Sequence, residues 1–268
     1  MTDLKALCTE IEAAARLAGE FIRNESLVFD IDDTETKGLN NFVTYVDKGS
    51  EKMLIEKLGP LIPEAGFIAE EGTSVKKGLK YNWVIDPLDG TTNFLHGVHP
   101  YAVSIGLMED NKVIAGVVHE AGGTETFTAW KDGGAWLNGK RIHVSKTPKL
   151  SAALAATGFP YNLFDRLDPY MNLLSHLVKN THGLRRLGSA SIDLAYVACG
   201  RFDLFFEYDL KPWDVAAGML IVREAGGRFS DFTGNMEGVS GDETVASNAL
   251  IYNELIEIVG KFMNNRPR

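Results

Sequence analysis

Trp83-Val84-Ile85-Asp86-Pro87-Leu88-Asp89-Gly90-Thr91-Thr92-Asn93-Phe94 is the stretch on which the reading of this chain turns. Three apolar residues, Trp83 to Ile85, form a buried-type strand that runs directly into a carboxylate. Pro87 fixes its own φ and has no N–H, so the chain is expected to leave the sheet there. Asp89 follows three residues after Asp86, and Gly90 allows a tight backbone where a side chain would collide. Thr91 stands where a short helix can start, with N–H groups suited to a phosphate. Two carboxylates this close cannot both be buried and charged without a counter-ion. The plainer alternative is a solvated turn, and a lone D-P-x-D would deserve it. The apolar run before the motif and the Gly-Thr-Thr after it favour chemistry.

Two further acidic elements flank this one. Upstream, Glu70-Glu71 follows Phe67-Ile68-Ala69 and precedes Gly72, again a carboxylate at a strand exit. Alone, it would read as a solvated turn. Downstream, Pro212-Trp213-Asp214-Val215-Ala216-Ala217-Gly218 places Asp214 at a helix N-cap. Such a cap contributes ~1 kcal/mol and does not preclude metal binding. Together these carboxylates are a hard-oxygen set with no Cys or His beside them, which favours Mg²⁺, Mn²⁺ or Ca²⁺ over zinc or copper. Two such ions about 3.5–4 Å apart can activate water and stabilise a leaving oxygen.

Around these motifs the hydrophobic pattern changes period. Apolar residues at Leu4, Leu7, Ile11, Ala14, Ala18 and Phe21 predict an amphipathic helix over 3–23. A second helix is predicted over 47–58, ended by Gly59-Pro60. Short β runs follow at 67–69, 83–86, 103–108, 113–119 and 124–130, with another hairpin over 132–141. The second half alternates: strands at 152–157, 203–207, 227–229 and 245–247, helices at 169–179, 191–198, 215–225 and from 250. An antiparallel first half and an alternating second half suggest two layered α+β subdomains, 1–145 with most of the acidic set and 146–268 with Asp214, sharing one cleft. The polar stretch 30–41 reads as a mobile loop.

Composition limits the partners. The chain has 268 residues, 36 acidic and 27 basic, for a formal charge of −9. That charge argues against nucleic acid or an anionic membrane. Acidic residues in a phosphate site make sense when cations stand between them and the substrate. No apolar run approaches the ~20 residues of a membrane span, and the N-terminal stretch does not have the form of a signal peptide. Cys8 and Cys199 fit neither a disulfide framework nor a metal motif, so reduced thiols in a cytoplasmic protein are expected. The six histidines lack metal-ligand spacing.

The ordered set Glu70-Glu71, Asp86 to Phe94 and Trp213 to Gly218 resembles the inositol monophosphatase family, within the lithium-sensitive, magnesium-dependent phosphatase superfamily. Val43-Thr44 with Asp47, Gly188-Ser189-Ala190 and Glu207 extend the resemblance over nearly the whole chain. It implies a layered α-β-α-β-α sandwich, assembled as a homodimer. By position, Glu70, Asp86, the Leu88 carbonyl, Asp89 and Asp214 would hold two or three Mg²⁺ ions. Glu70 and Thr91, the latter paired with Asp47, would position a water for in-line attack, without a covalent phospho-enzyme. The backbone at Gly90, Thr91 and Thr92 would cradle the phosphate. Ala190 and Glu207, with Asp89, would face the hydroxyls of a polyol. Lys37 could close over the site, although simple solvation is the plainer role, and Arg185-Arg186 reads as an exposed basic pair. Asn41-Phe42 departs from the Asp-Leu common before Val-Thr in the family, which Asp47 makes tolerable.

The leading expectation is therefore hydrolysis of inositol monophosphate or a similar phosphate monoester. Histidinol phosphate, fructose 1,6-bisphosphate and nucleotide 3′-phosphates are alternatives, the first two because their enzymes use almost the same metal set. A different class of function, a role in RNA metabolism or with a protein partner in which catalysis is incidental, is the second alternative. A metal-stabilised binding module without turnover would make Asp47, Glu70 and Thr91 coincidental.

Overall fold

The computed structural model describes residues 3–38, 41–74, 76–161 and 163–264. The first helix, α1 (Leu4–Glu25), begins where Asp3 accepts the backbone N–H groups of Lys5 and Ala6. Among the described residues of the stretch 30–41, those at 35–38 and 41 are not the expected loop. After a short 3₁₀ turn they form β1 (Glu35–Gly38), which pairs antiparallel with β2 (Asn41–Val43). The polar side chains suggest a loop because a two-stranded hairpin needs no apolar face of its own. Next comes α2 (Tyr45–Leu58), capped by Thr44, with Asp47 completing a capping box.

A seven-stranded sheet follows, built from β3 (Gly66–Ala69), β4 (Tyr81–Asp89), β5 (Ala102–Glu109), β6 (Lys112–Glu120), β7 (Thr126–Trp130), β8 (Gly134–Leu137) and β9 (Lys140–Ile142), with α3 (Thr91–Leu95) between β4 and β5. It is antiparallel except at its edge, where β3 runs parallel to β4. The chain does not leave the sheet at Pro87. The register with β5 shifts between Asp86 and Asp89, and pairing resumes at Asp89 opposite Ala102. Proline and its neighbour are absorbed as an irregularity of the strand.

The rest of the chain runs β10 (Leu154–Thr157), α4 (Leu167–Asn180), β11 (Gly183–Arg185), α5 (Ala190–Ala198), β12 (Leu204–Tyr208), α6 (Pro212–Glu224), β13 (Arg228–Ser230), β14 (Glu243–Ser247) and α7 (Tyr252–Met263). Its strands form a second sheet in the order β11-β10-β12-β14-β13. The short β11 carries too few apolar residues to be read from sequence.

Strand alternation makes the layers. In β4, Trp83 and Ile85 join a core with α1 and α2, whereas Val84 faces α5 and α6. In β12, Phe205 joins the α5–α6 core, whereas Leu204, Phe206 and Tyr208 face α4 and α7. The result is the α-β-α-β-α sandwich. The middle helices are buried on every side, so Val215 to Val222 of α6 are apolar without a polar face. Their closeness to the first sheet depends on glycine: a Cβ at Gly116 would meet the Ala217 carbonyl oxygen at 3.0 Å. We propose to keep the division at 145/146 as the change from one sheet to the other, with α5 and α6 packing on both. No helix among the described residues is long and apolar enough to cross a membrane.

Candidate active site

The site begins at the irregularity in β4. The Leu88 N–H donates to Asp86 Oδ1 at 2.9 Å, and Ser50 of α2 donates its hydroxyl to the Pro87 carbonyl at 2.9 Å. These bonds hold the turn whose local geometry Pro87 makes unusual. Gly90 then adopts φ +92°, where a Cβ would stand 3.1 Å from the Gly188 carbonyl oxygen and 3.2 Å from that of Pro100. The chain passes from there into α3.

Thr91, in the first turn of α3, places its hydroxyl 3.0 Å from Asp47 Oδ1 and 3.0 Å from the Leu88 carbonyl oxygen. Asp47 is fully buried. Its Oδ2 accepts the Thr44 N–H at 2.8 Å and the Thr44 hydroxyl at 2.6 Å. Burial raises the Asp47 pKa, and the bonds from Thr44 and Thr91 oppose that rise.

Asp86, Asp89 and Asp214 each offer a carboxylate oxygen within 4.8 Å of the others. Asp89 is held from α5: Ser189 Oγ, Ser191 N–H and Ser191 Oγ all donate to its Oδ2, at 2.7, 2.7 and 2.5 Å. Asp214 is not the N-cap of α6. It is the third residue of the first turn, where its Oδ2 accepts the Lys211 N–H at 2.7 Å, because Pro212 takes the first helical position. Glu70 follows β3, its N–H bonded to the Ile85 carbonyl oxygen at 3.2 Å. The next turn is fixed by buried Glu51 of α2, which accepts the N–H groups of Glu71 at 2.8 Å and Thr73 at 2.6 Å.

The electrostatics fit a bound cation. Burial, then repulsion from Glu70, Asp89 and Asp214, pushes the Asp86 pKa well above the usual carboxylate range. Burial raises Asp89 against the pull of Ser191 and Ser189, and burial with the Asp89 charge pushes Asp214 up to about 7. Oxygen donors that repel one another this way suit a hard divalent ion, whose charge would favour their ionised forms.

A cavity of about 240 Å³ opens beside the cluster. It is lined by Glu70, Asp86, Leu88, Asp89, Gly90, Thr91, Thr92 and Asp214, and by Gly158, Tyr161, Arg186, Ala190, Asp193 and Glu207. Every residue to which the resemblance gives a metal, water or substrate role therefore lines this cavity except Asp47, which stands behind Thr91. Lys37 lies in β1, and its side chain falls outside the described residues.

A model of the inositol monophosphatase family matches residues 3–263. The chain belongs to the inositol monophosphatase family. It is 43% identical over 251 residues to the Nus factor SuhB of Pseudomonas aeruginosa, covering 92% of this chain and 93% of that protein. It is 40% identical over 224 residues to an inositol-1-monophosphatase of Rhizobium meliloti, covering 83% and 84%. The crystal structure of the extragenic suppressor protein suhB of Bartonella henselae superposes with a TM-score of 0.89 at 35% identity, over 96% of this chain and 99% of that one.

Within this inositol monophosphatase fold, several polar residues of the site are not apparent from the sequence. Ser50 and Glu51 sit inside an apparently ordinary amphipathic helix. Ser191 and Asp193 sit near the start of another, just after the Gly188-Ser189-Ala190 that the resemblance already included. Helix spacing does place Ser50 and Glu51 three and four residues after Asp47, but nothing in a single chain says what those side chains meet. Arg186 is exposed, as its basic pair suggests, and also lines the cavity.

Proposed function

We propose that this inositol monophosphatase family protein hydrolyses a small phosphate monoester, inositol monophosphate or a similar polyol phosphate, in a magnesium-dependent reaction. The observation that carries this reading is the cluster of Asp86, Asp89 and Asp214 lining one cavity together with Thr91, whose hydroxyl bonds to Asp47. Glu70, Asp86, the Leu88 carbonyl, Asp89 and Asp214 are the residues that would hold two or three Mg²⁺ ions. Magnesium bound there supplies charge neutralisation for the phosphate and acidity for water.

The protein's own part is positioning. Asp47, ionised, accepts a hydrogen bond from the Thr91 hydroxyl, which leaves the Thr91 oxygen lone pairs free to accept from the attacking water. Glu70 helps to orient the same water. The turn at Gly90, Thr91 and Thr92 offers N–H groups that the first turn of a helix leaves without intrahelical acceptors. Those donors face the phosphate oxygens. Ala190, Glu207 and Asp89 border the part of the cavity that receives the polyol. Water is the nucleophile, and no bond between phosphorus and the chain forms. A lithium-sensitive homodimer in the cytoplasm belongs to the same reading, with Cys8 and Cys199 as free thiols.

Rates of phosphate release from myo-inositol 1-phosphate, histidinol phosphate, fructose 1,6-bisphosphate and 3′-phosphoadenosine 5′-phosphate test the substrate class. The inositol ester should be the preferred substrate; a preference for another ester would keep the mechanism and reassign the role. A second reading, a partner role in RNA metabolism with catalysis incidental, draws on the name Nus factor carried by the Pseudomonas aeruginosa relative. The charge of −9 weighs against direct contact with RNA. Absence of turnover in folded protein would favour this second reading.

A further inference from the structure

The third residue of α5 beyond Ala190 is Asp193, which is 1% exposed and lines the cavity. Its Oδ1 is buried without a hydrogen-bond partner. The neighbouring serines on this helix start are already engaged, both donating to Asp89. Leaving a buried carboxylate oxygen unsatisfied is costly, and native folds rarely do it without another use for the group. Glu207 faces the same space from β12 and is 6% exposed. Gly158 makes room for it, since a Cβ there would stand 2.1 Å from Glu207 Oε1. Two neighbouring carboxyl groups stand here with the Arg186 guanidinium lining the same cavity, so their charge is partly offset. They favour neutral hydroxyls, which both donate and accept and so suit a carboxyl group in either protonation state.

We propose that Asp193 is a specificity-determining residue of this site, hydrogen-bonding one ring hydroxyl of a polyol phosphate beside the hydroxyl taken by Glu207. The proposal rests on the phosphatase reading above and extends it by one residue. A ligand with adjacent hydroxyls fills both positions. An ester whose alcohol is a plain aromatic ring fills neither.

The test is the ratio of kcat/KM for myo-inositol 1-phosphate to that for p-nitrophenyl phosphate, measured with magnesium. Asp193→Leu, which keeps the branched shape and removes the hydrogen bond, should lower this ratio roughly tenfold. Asp193→Asn should restore most of it, because an amide still bonds a hydroxyl. The Asp193→Leu protein should melt no lower than wild type, since a buried carboxyl oxygen without a partner is gone; a purely structural aspartate would give the reverse. A ratio within about twofold of wild type, or an equal loss on both esters, overturns the assignment. Asp193→Ala carries the same test should the leucine protein fail to fold. Wild-type protein that releases no phosphate from either ester contradicts the phosphatase reading itself, a result separate from any effect of the substitutions.

Discussion

Thr91 Oγ1 lies 3.0 Å from Asp47 Oδ1, across 44 residues of chain. The contact ties the first turn of α3 to the first turn of α2, and Thr44 completes it by donating to the other oxygen of the same carboxylate. A buried carboxylate given these donors is oriented as well as satisfied. Thr91→Ala should therefore lower kcat by about 10²-fold, the range of a lost positioning group. Magnesium titration of phosphate release should show the metal dependence nearly unchanged. A weakened magnesium response with normal kcat would mean that Thr91 serves the ion and not the water.

Asp86 stands at the centre of the acidic cluster, crowded by Glu70, Asp89 and Asp214. Asp86→Asn should abolish magnesium-dependent turnover with the fold retained, because it removes ligand charge and relieves repulsion together. Circular dichroism would check the fold and phosphate release the activity. Near-normal turnover would remove Asp86 from the metal site.

The same crowding sets a pH dependence in the absence of metal. Asp86, Asp89 and Asp214 hold their protons above the ordinary carboxylate range, Asp214 to about 7. For groups whose folded pKa is raised, the stabilising contribution is full below the unfolded value near ~4 and is lost as pH rises through the folded value. In EDTA, Tm should therefore fall from about pH 5 to about pH 8. Saturating magnesium should flatten that fall, since it stabilises the ionised forms. A Tm in EDTA that rises over the same window would contradict the raised values.

Gly90 supports the site through its backbone. At φ +92° with the Gly188 and Pro100 carbonyl oxygens 3.1 and 3.2 Å from any Cβ, Gly90→Ala meets both strain and collision. The substitution should cost about 1–3 kcal/mol by denaturant unfolding. It should also depress kcat by displacing Thr91. Unchanged stability would mean that the turn relaxes freely.

Much of this arrangement is legible in the chain's own residues. The strand into Asp86, the start of α3 at Thr91 and the buried helix after Asp214 follow from apolar runs and turn residues, whose effects are local. The acidic set follows from the order of three motifs. What stays hidden depends on distant partners. Read alone, Pro87 ends its strand, because Ser50, which holds the irregularity, comes from a helix 37 residues earlier. Asp214 reads as a cap, because Pro212 and Lys211 decide which residue begins the helix. Asp193 reads as an ordinary helical aspartate, because its missing hydrogen bond emerges only when the cavity does. The hairpin of β1 and β2 reads as a loop, because its residues lack the alternation that marks a half-buried strand.

The most direct measurement is phosphate release from myo-inositol 1-phosphate by the purified protein, with magnesium and with excess EDTA. Turnover should require magnesium, be abolished by EDTA and return when magnesium is restored. Folded protein that releases no phosphate from this ester or the other monoesters, or that hydrolyses them equally well in EDTA, would contradict it.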